Sequence, residues 1–213
     1  MLNMDFTQSV TIDTRQQGWV ASPKAGVWRK PLARELAEQG HATSIVRYAP
    51  GAAFSPHEHP KGEEILVLQG VFSDQRGDYP TGTYFRNPEG FSHAPFSVEG
   101  CMILVKLAQF QADDKAHRLI QTHTAPWSSV NESLDQLELH RHRDEQVCMW
   151  RSREHVNIDL SDAHQGLEIY IIQGELKENE QCFSEGVWLR RLRGNSLYQL
   201  GRDTLIWAKL NHF

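Results

Sequence analysis

The sequence predicts an all-β protein built from two copies of one antiparallel unit, the second copy degenerate. Three observations predict it. Turn residues recur at short intervals, with Pro50-Gly51, Gly70, Gly77, Gly82, Gly90 and Gly100 in the first half and Gly166, Gly174, Gly186, Gly194 and Gly201 in the second. Between them lie short runs rich in β-branched and aromatic residues, such as SIVRYA, EILVLQG, CMILVKL, EIYIIQG and DTLIWAKL, which suit a pleated, half-buried surface. Finally, when the chain is slid along itself by 104 residues, Gly62, Glu64, Ile65, Gln69, Gly70, Gly82, Arg86, Gly90 and Ser92 fall on Gly166, Glu168, Ile169, Gln173, Gly174, Gly186, Arg190, Gly194 and Ser196 without a gap.

The elements follow from this rhythm. Units are expected at 1–115, with the N-terminal strands, and at 116–213. The boundary falls in FQADDKAHRLIQTHTAPWSSVNES, a polar stretch without strand alternation that contains Pro126. A helix is plausible only for short pieces such as PLARELAEQ, with Pro31 in a first turn and Gly40 as a stop.

Composition excludes several function classes. The 213 residues carry 22 Lys and Arg against 27 Asp and Glu, a net charge of −5, with the basic residues scattered, so neither nucleic acid nor an anionic membrane surface is an expected partner. The longest apolar runs are far short of the roughly 18 residues of a membrane span. MLNMDFTQSV has neither the basic nor the apolar region of a signal peptide, so the chain reads as soluble and cytoplasmic. Cys101, Cys148 and Cys182 are an odd number without C-x2-C spacing, which argues against a disulfide framework or a cysteine zinc finger.

The chemistry concentrates in GAAFSPHEHPKGEEILVLQG. His57, His59 and Glu63 share parity, so in an extended conformation they project from one face while Glu64 points to the other. A fourth donor, His93, follows the turn Pro88-Glu89-Gly90, from which an antiparallel hairpin can bring it back. Three imidazoles and a carboxylate form a competent ligand set for Zn2+, Fe2+, Ni2+ or Mn2+. At the 104-residue offset these four positions become Ser161, Ala163, Leu167 and Leu197, so the second copy has no ligands. Glu64, matched by Glu168, reads as a solvated or ion-paired strand residue.

These residues resemble the cupin pattern. Gly51, His57, His59, Glu63 and Gly70 match G-x5-H-x-H-x3-E-x6-G, and Gly82, Pro88, Gly90 and His93 match G-x5-P-x-G-x2-H. Ser97 stands where the family often has Asn, at a position that is not a ligand. The resemblance implies two antiparallel jelly-roll barrels, a bicupin, in which His57, His59, Glu63 and His93 converge on one divalent metal per chain. Residues 15 to 110 further resemble the ChrR-like cupins, the C-terminal domains of anti-sigma factors that bind zinc and respond to oxidative signals. That resemblance implies zinc first, with iron(II), nickel or manganese as alternatives, and a regulatory partner in a sigma-factor pathway. The family's sigma-binding motif, H-x3-C-x2-C, does not occur in the sequence, so no helical sigma-binding domain is expected.

Other candidates read more plainly. His140 and His142 form a second H-x-H without a following carboxylate and suit an exposed basic edge strand. His117, His123, His155 and His164 read as surface or hydrogen-bonded histidines. Phe54, Tyr84, Phe96 and Met102 flank the proposed metal and read first as barrel core, with pocket lining as the alternative, and Cys101 reads as a small buried hydrophobe. The expected function is a metal-binding regulatory or sensory module. The alternatives are a metal-dependent dioxygenase of the β-diketone- or hydroxyacetophenone-cleaving type with a small molecule in the first barrel, or a structural bicupin. Barrel edges of this kind commonly pair across a two-fold axis, so a homodimer is expected.

Overall fold

The computed structural model describes all residues except 37–39 and 196–197. The described residues form no helix, hence none long and apolar enough to cross a membrane. The chain opens with β1 (Val10–Asp13), β2 (Val20–Ala21), β3 (Val27–Arg34), β4 (Ala42–Tyr48), β5 (His57–Glu58), β6 (Glu63–Asp74) and β7 (Gly77–Pro80). It continues through β8 (Thr83–Asn87), β9 (Ser92–His93), β10 (Cys101–Leu107), β11 (Arg118–Gln121), β12 (Ser128–Asn131), β13 (Leu134–His142) and β14 (Glu145–Ser152). The last strands are β15 (Val156–Ile158), β16 (Leu167–Gln173), β17 (Glu175–Glu178), β18 (Gln181–Ser184), β19 (Val187–Arg191), β20 (Tyr198–Leu200) and β21 (Leu205–Leu210).

These strands divide into two compact units. The first comprises Met1–Met4 and Gln17–Thr124, and the second Asp5–Gln16 and Ala125–Phe213. In the first unit an antiparallel sheet runs β11-β8-β6-β10-β4-β3-β2, with β7 paired to the far half of β6 and a separate ribbon of β5 and β9. Alternation turns Val46, Ile65, Val67, Phe85, Ile103 and Val105 into its core, each worth roughly 1.5–3 kcal/mol when fully buried. In the second unit a sheet ordered β1-β19-β16-β21-β14-β13-β12 accompanies a four-stranded sheet ordered β15-β20-β17-β18. Leu167, Ile169, Ile171, Leu176, Leu189 and Ile206 fill its interior.

The internal repeat is carried strand by strand. At the 104-residue offset β7 falls on β18 and β8 on β19, while β6 falls on β16 and β17 together. The break in that last pair lies at Gly174. Its counterpart Gly70 has φ 74° and Gly174 has φ 81°, and a Cβ would come within 2.3 Å of the Gly100 carbonyl in one case and 2.4 Å of Thr204 Oγ1 in the other. No side chain fits either bend. Ser196, in the sequence repeat, and Leu197, the counterpart of His93, lie outside the described residues.

Several expectations are corrected. Pro31–Arg34 belong to β3 rather than to a helix. β2 pairs only with Trp28 and Arg29, so proline's missing N–H costs no bond on that edge, and the register shift after Pro31 absorbs the irregularity. The polar boundary stretch carries two strands, β11 and β12, and the division falls after Thr124 instead of 115. The N-terminal strand is not part of the first unit either: Val10–Asp13 pair with Val187–Arg190 of β19 in the second. His140 is buried, 2% exposed, and not on an exposed strand face.

Candidate metal centre

The proposed ligands are gathered by two short elements and a turn. β5 and β9 pair antiparallel so that His57 lies opposite His93 and Glu58 opposite Ser92. After His59 the chain does not stay extended, as side-chain parity assumed. It turns through Lys61 and Gly62, both left-handed at φ 61° and 81°, closed by a bond from the Gly62 N–H to the His59 carbonyl (3.1 Å), and Glu63 then opens β6. The same residues converge, but through a turn.

The three imidazoles bring ligand atoms within 4.8 Å of one another, a cluster that could hold a metal ion. His59 Nε2 and His93 Nε2 lie 3.2 Å apart, and Glu63 reaches the first with Oε1 and the second with Oε2, each at 3.3 Å. Burial pulls the His59 imidazole down to about 4, with the neighbouring His57 adding to the effect, and burial also lowers His93. Both rings are therefore neutral near pH 7 and have lone pairs to give. Burial works in the opposite direction on Glu63, raising its pKa, while His93 and a hydrogen bond from Asn87 oppose that rise.

Neighbouring groups fix which nitrogen is free. His57 Nδ1 donates to the Ser55 carbonyl (2.8 Å), leaving Nε2 as the acceptor. His93 Nδ1, buried and without a hydrogen-bond partner, faces Asp74 Oδ2 at 3.6 Å. Asp74 is itself held by the Tyr79 hydroxyl (3.0 Å) and the Arg76 N–H (2.7 Å), both on Oδ1. Asn87 donates to Glu63 Oε2 at 3.3 Å from the facing position on β8. Imidazole nitrogens and a carboxylate turned toward one another are stabilised by a cation between them, so the donor set fits a divalent ion.

Two of these positioning residues, Asp74 and Asn87, were not found from the sequence. Asn87 was within reach, because pairing Glu64 with Arg86 puts the next residue opposite Glu63, whereas the aim of Asp74 depends on the closed sheet.

The remaining readings sort cleanly. Glu64 points away, buried and paired with Arg86 (3.1 Å), which also meets Asp114 and stacks on Phe110. Glu168 is likewise buried, bonded to His212 (3.0 Å) and the Trp188 ring N–H (3.2 Å). Ala163 and Leu167 are core residues and Ser161 is exposed. His117, His123, His155 and His164 are exposed, and His142 is half-buried. Cys101 is buried, its thiol pushed up to about 11 by desolvation.

A cavity of about 850 Å3 opens onto the cluster and is lined by His57, His59 and Glu63 together with Val27, Val46, Ile103, Val105 and Phe54. Of the four flanking residues, read first as barrel core and only second as pocket lining, Phe54 lines the cavity and Tyr84, Phe96 and Met102 are not part of its wall.

Comparison with known structures defines the class first: this is a cupin-fold protein over essentially its whole length. A candidate dioxygenase from Nostoc punctiforme PCC 73102 superimposes with a TM-score of 0.74 at 15% identity, covering 95% of this chain and 82% of that one. The bacterial pirin YhhW from Escherichia coli, in complex with nickel(II), gives 0.71 at 12%, covering 95% and 99%. Oxalate decarboxylase from Bacillus subtilis gives 0.61 at 10%, covering 95% and 76%. Within that fold, residues 7–111 match the family model for the ChrR cupin-like domain. A comparison with curated proteins finds no match.

Proposed function

We propose that His57, His59, Glu63 and His93 hold one divalent metal ion and present it to a small molecule entering the first barrel, as in a metal-dependent dioxygenase of the cupin type. The observation that carries this reading is the cavity of about 850 Å3 whose wall includes three of the four ligands. A structural ion is enclosed by its ligands, whereas a catalytic one keeps a position open. When bound, a redox-active ion such as iron(II) supplies a place where an oxygen-chelating substrate and O2 can meet. The chain supplies the rest: Ser55 and Asp74 orient the rings of His57 and His93, Asn87 steadies Glu63, and the valine and isoleucine wall excludes water.

A second reading is favoured by the match of residues 7–111 to the ChrR cupin-like domain. There the ion is zinc, the site senses rather than reacts, and the partner is a regulatory protein of a sigma-factor pathway, with the chain acting as a homodimer. Elemental analysis of protein purified from its native host without added metal separates the two. Stoichiometric iron with oxygen uptake on a β-diketone panel supports the oxygenase, and zinc without oxygen uptake supports the sensor. In either case the double variant His57→Ala, His59→Ala loses its metal, and normal metal content in that variant overturns the ligand assignment.

A further inference from the structure

Two consecutive residues of β4 carry buried hydroxyls, and the fold treats them differently. Thr43, on the face turned from the cavity, accepts from Lys106 Nζ (3.0 Å) and Gln109 Nε2 (3.1 Å). Ser44 lines the cavity with Ala42, Val46 and Tyr48 of the same strand; it is 1% exposed, and its hydroxyl has no hydrogen-bond partner. Register places it relative to the ligand cluster. Leu107 lies opposite both Ala42 and Glu63, and Val105 opposite both Ser44 and Ile65, so Ser44 stands two strands across and two residues along from Glu63. Those spacings put the two α-carbons about 12 Å apart, a span that one small molecule covers.

A buried hydroxyl left unsatisfied is costly, so one set in a cavity wall calls for a partner that arrives with a ligand. The rest of the wall defines the kind of ligand. Val27, Val46, Ile103 and Val105 are apolar, and two aromatic rings join them: Tyr48 and Phe54 have centroids 5.7 Å apart, and Phe54 lies 5.6 Å from the His57 ring. A carboxylate brought to Ser44 would be desolvated and would need a cation beside it. Among the described wall residues none is spare. Arg29 and His41 have partners within the chain, Arg34 donates to the Leu36 carbonyl, and Lys61, like Glu35 and Glu58, is exposed to water.

We propose that Ser44 determines the specificity of this cavity by selecting a neutral molecule with an apolar body, whose carbonyl oxygen accepts a hydrogen bond from the Ser44 hydroxyl. A neutral oxygen satisfies the hydroxyl without bringing a charge that needs a counter-ion, and the body covers the valine, isoleucine and aromatic wall. The cavity volume lies in the range of small-molecule sites. The inference deepens the small-molecule reading of the same site and rests on it, but the Ser44 contact itself needs no ion.

The test is calorimetric titration of the full chain, metal-loaded and chelator-stripped, with acetophenone and with α-methylstyrene, which has a CH2 group in place of the carbonyl oxygen. Acetophenone is expected to bind at least about tenfold more tightly than α-methylstyrene in both forms, the size of the penalty for leaving a buried hydroxyl unpaired. In the stripped chain Ser44→Ala should bring the two probes to equal affinity by weakening acetophenone alone. The variant should keep the metal content of the unaltered protein and melt no lower, since the hydroxyl it loses makes no bond within the fold. Equal affinity for the two probes in the unaltered protein, binding of neither, or an undiminished preference in Ser44→Ala overturns the proposal. So does a lower melting temperature of that variant, or tighter binding of benzoate than of acetophenone in the stripped chain. Because the stripped chain reads the Ser44 contact without an ion, normal metal content in the double histidine variant would overturn the ligand assignment and leave this preference in place.

Discussion

The interiors of the two barrels meet one requirement, a buried carboxylate that needs a cation, in different ways. In the first, Asp74 faces His93 and Asn87 steadies Glu63 around a cluster suited to a metal ion. At the 104-residue offset Asp74 becomes Glu178 and Asn87 becomes Arg191. Arg191 bonds Glu178 with a fork at 2.9 and 2.6 Å, and the Tyr198 hydroxyl adds a bond at 2.9 Å. Leu167 occupies the place of Glu63 in a closed apolar core. One copy gathers side chains suited to a guest cation; the other has built the positive charge in as a side chain. The scaffold tolerates either solution, so a functional site here is a matter of a few inward positions and not of the fold.

The largest way to break the comparison is Leu167→Glu, which puts the first barrel's carboxylate into the second without its histidines. It should destabilise the protein by about 4 kcal/mol in urea unfolding, since the new group is buried unpaired; an effect under about 1 kcal/mol would mean the second interior is not dry. Arg191→Met removes the built-in cation and should cost about 3 kcal/mol while leaving metal content untouched. Asp74→Asn keeps the acceptor for Tyr79 but offers His93 Nδ1 an N–H, which favours the wrong tautomer, so metal affinity measured by competition with a chelator should fall about 10- to 100-fold. Unaltered affinity would remove Asp74 from the site. The mildest change is Glu64→Gln, which should cost about 1 kcal/mol because Asp114 still neutralises Arg86, with metal binding unaffected.

Much of this contrast was legible in the sequence because it depends on residue type at fixed spacing. The histidines, Glu63, the silenced positions and the glycines that turn each copy are all written in register, and the sheets follow from that register. Parity gave the right side for Glu64 but the wrong path between His59 and Glu63, because Lys61 adopts a left-handed backbone that side-chain alternation does not report. The cation in the second barrel was hidden for a different reason. Arg191 and Glu178 are thirteen residues apart with no motif between them, and only the pairing of β16 with β19 and of β17 with β20 aims them at each other. Pro31 misled through its chemistry, being as compatible with a strand edge lacking a partner as with a first helical turn.

The pairing of β1 with β19 also sets an order of events. Val10 meets Arg190, and the backbone carbonyls of Asp5, Gln8 and Val10 accept bonds from Arg190 and Arg191. During synthesis at about 5–20 residues per second, the first strand waits on the order of 10–40 s before its partner is made. In that interval the residues from Gln17 to Thr124 are complete and free to close, while the opening strand stays an unpaired edge, the kind of segment that recruits wrong partners. The half that carries the histidine cluster can thus mature on the nascent chain, whereas the second barrel is finished only once β19 has been made and pairs with β1.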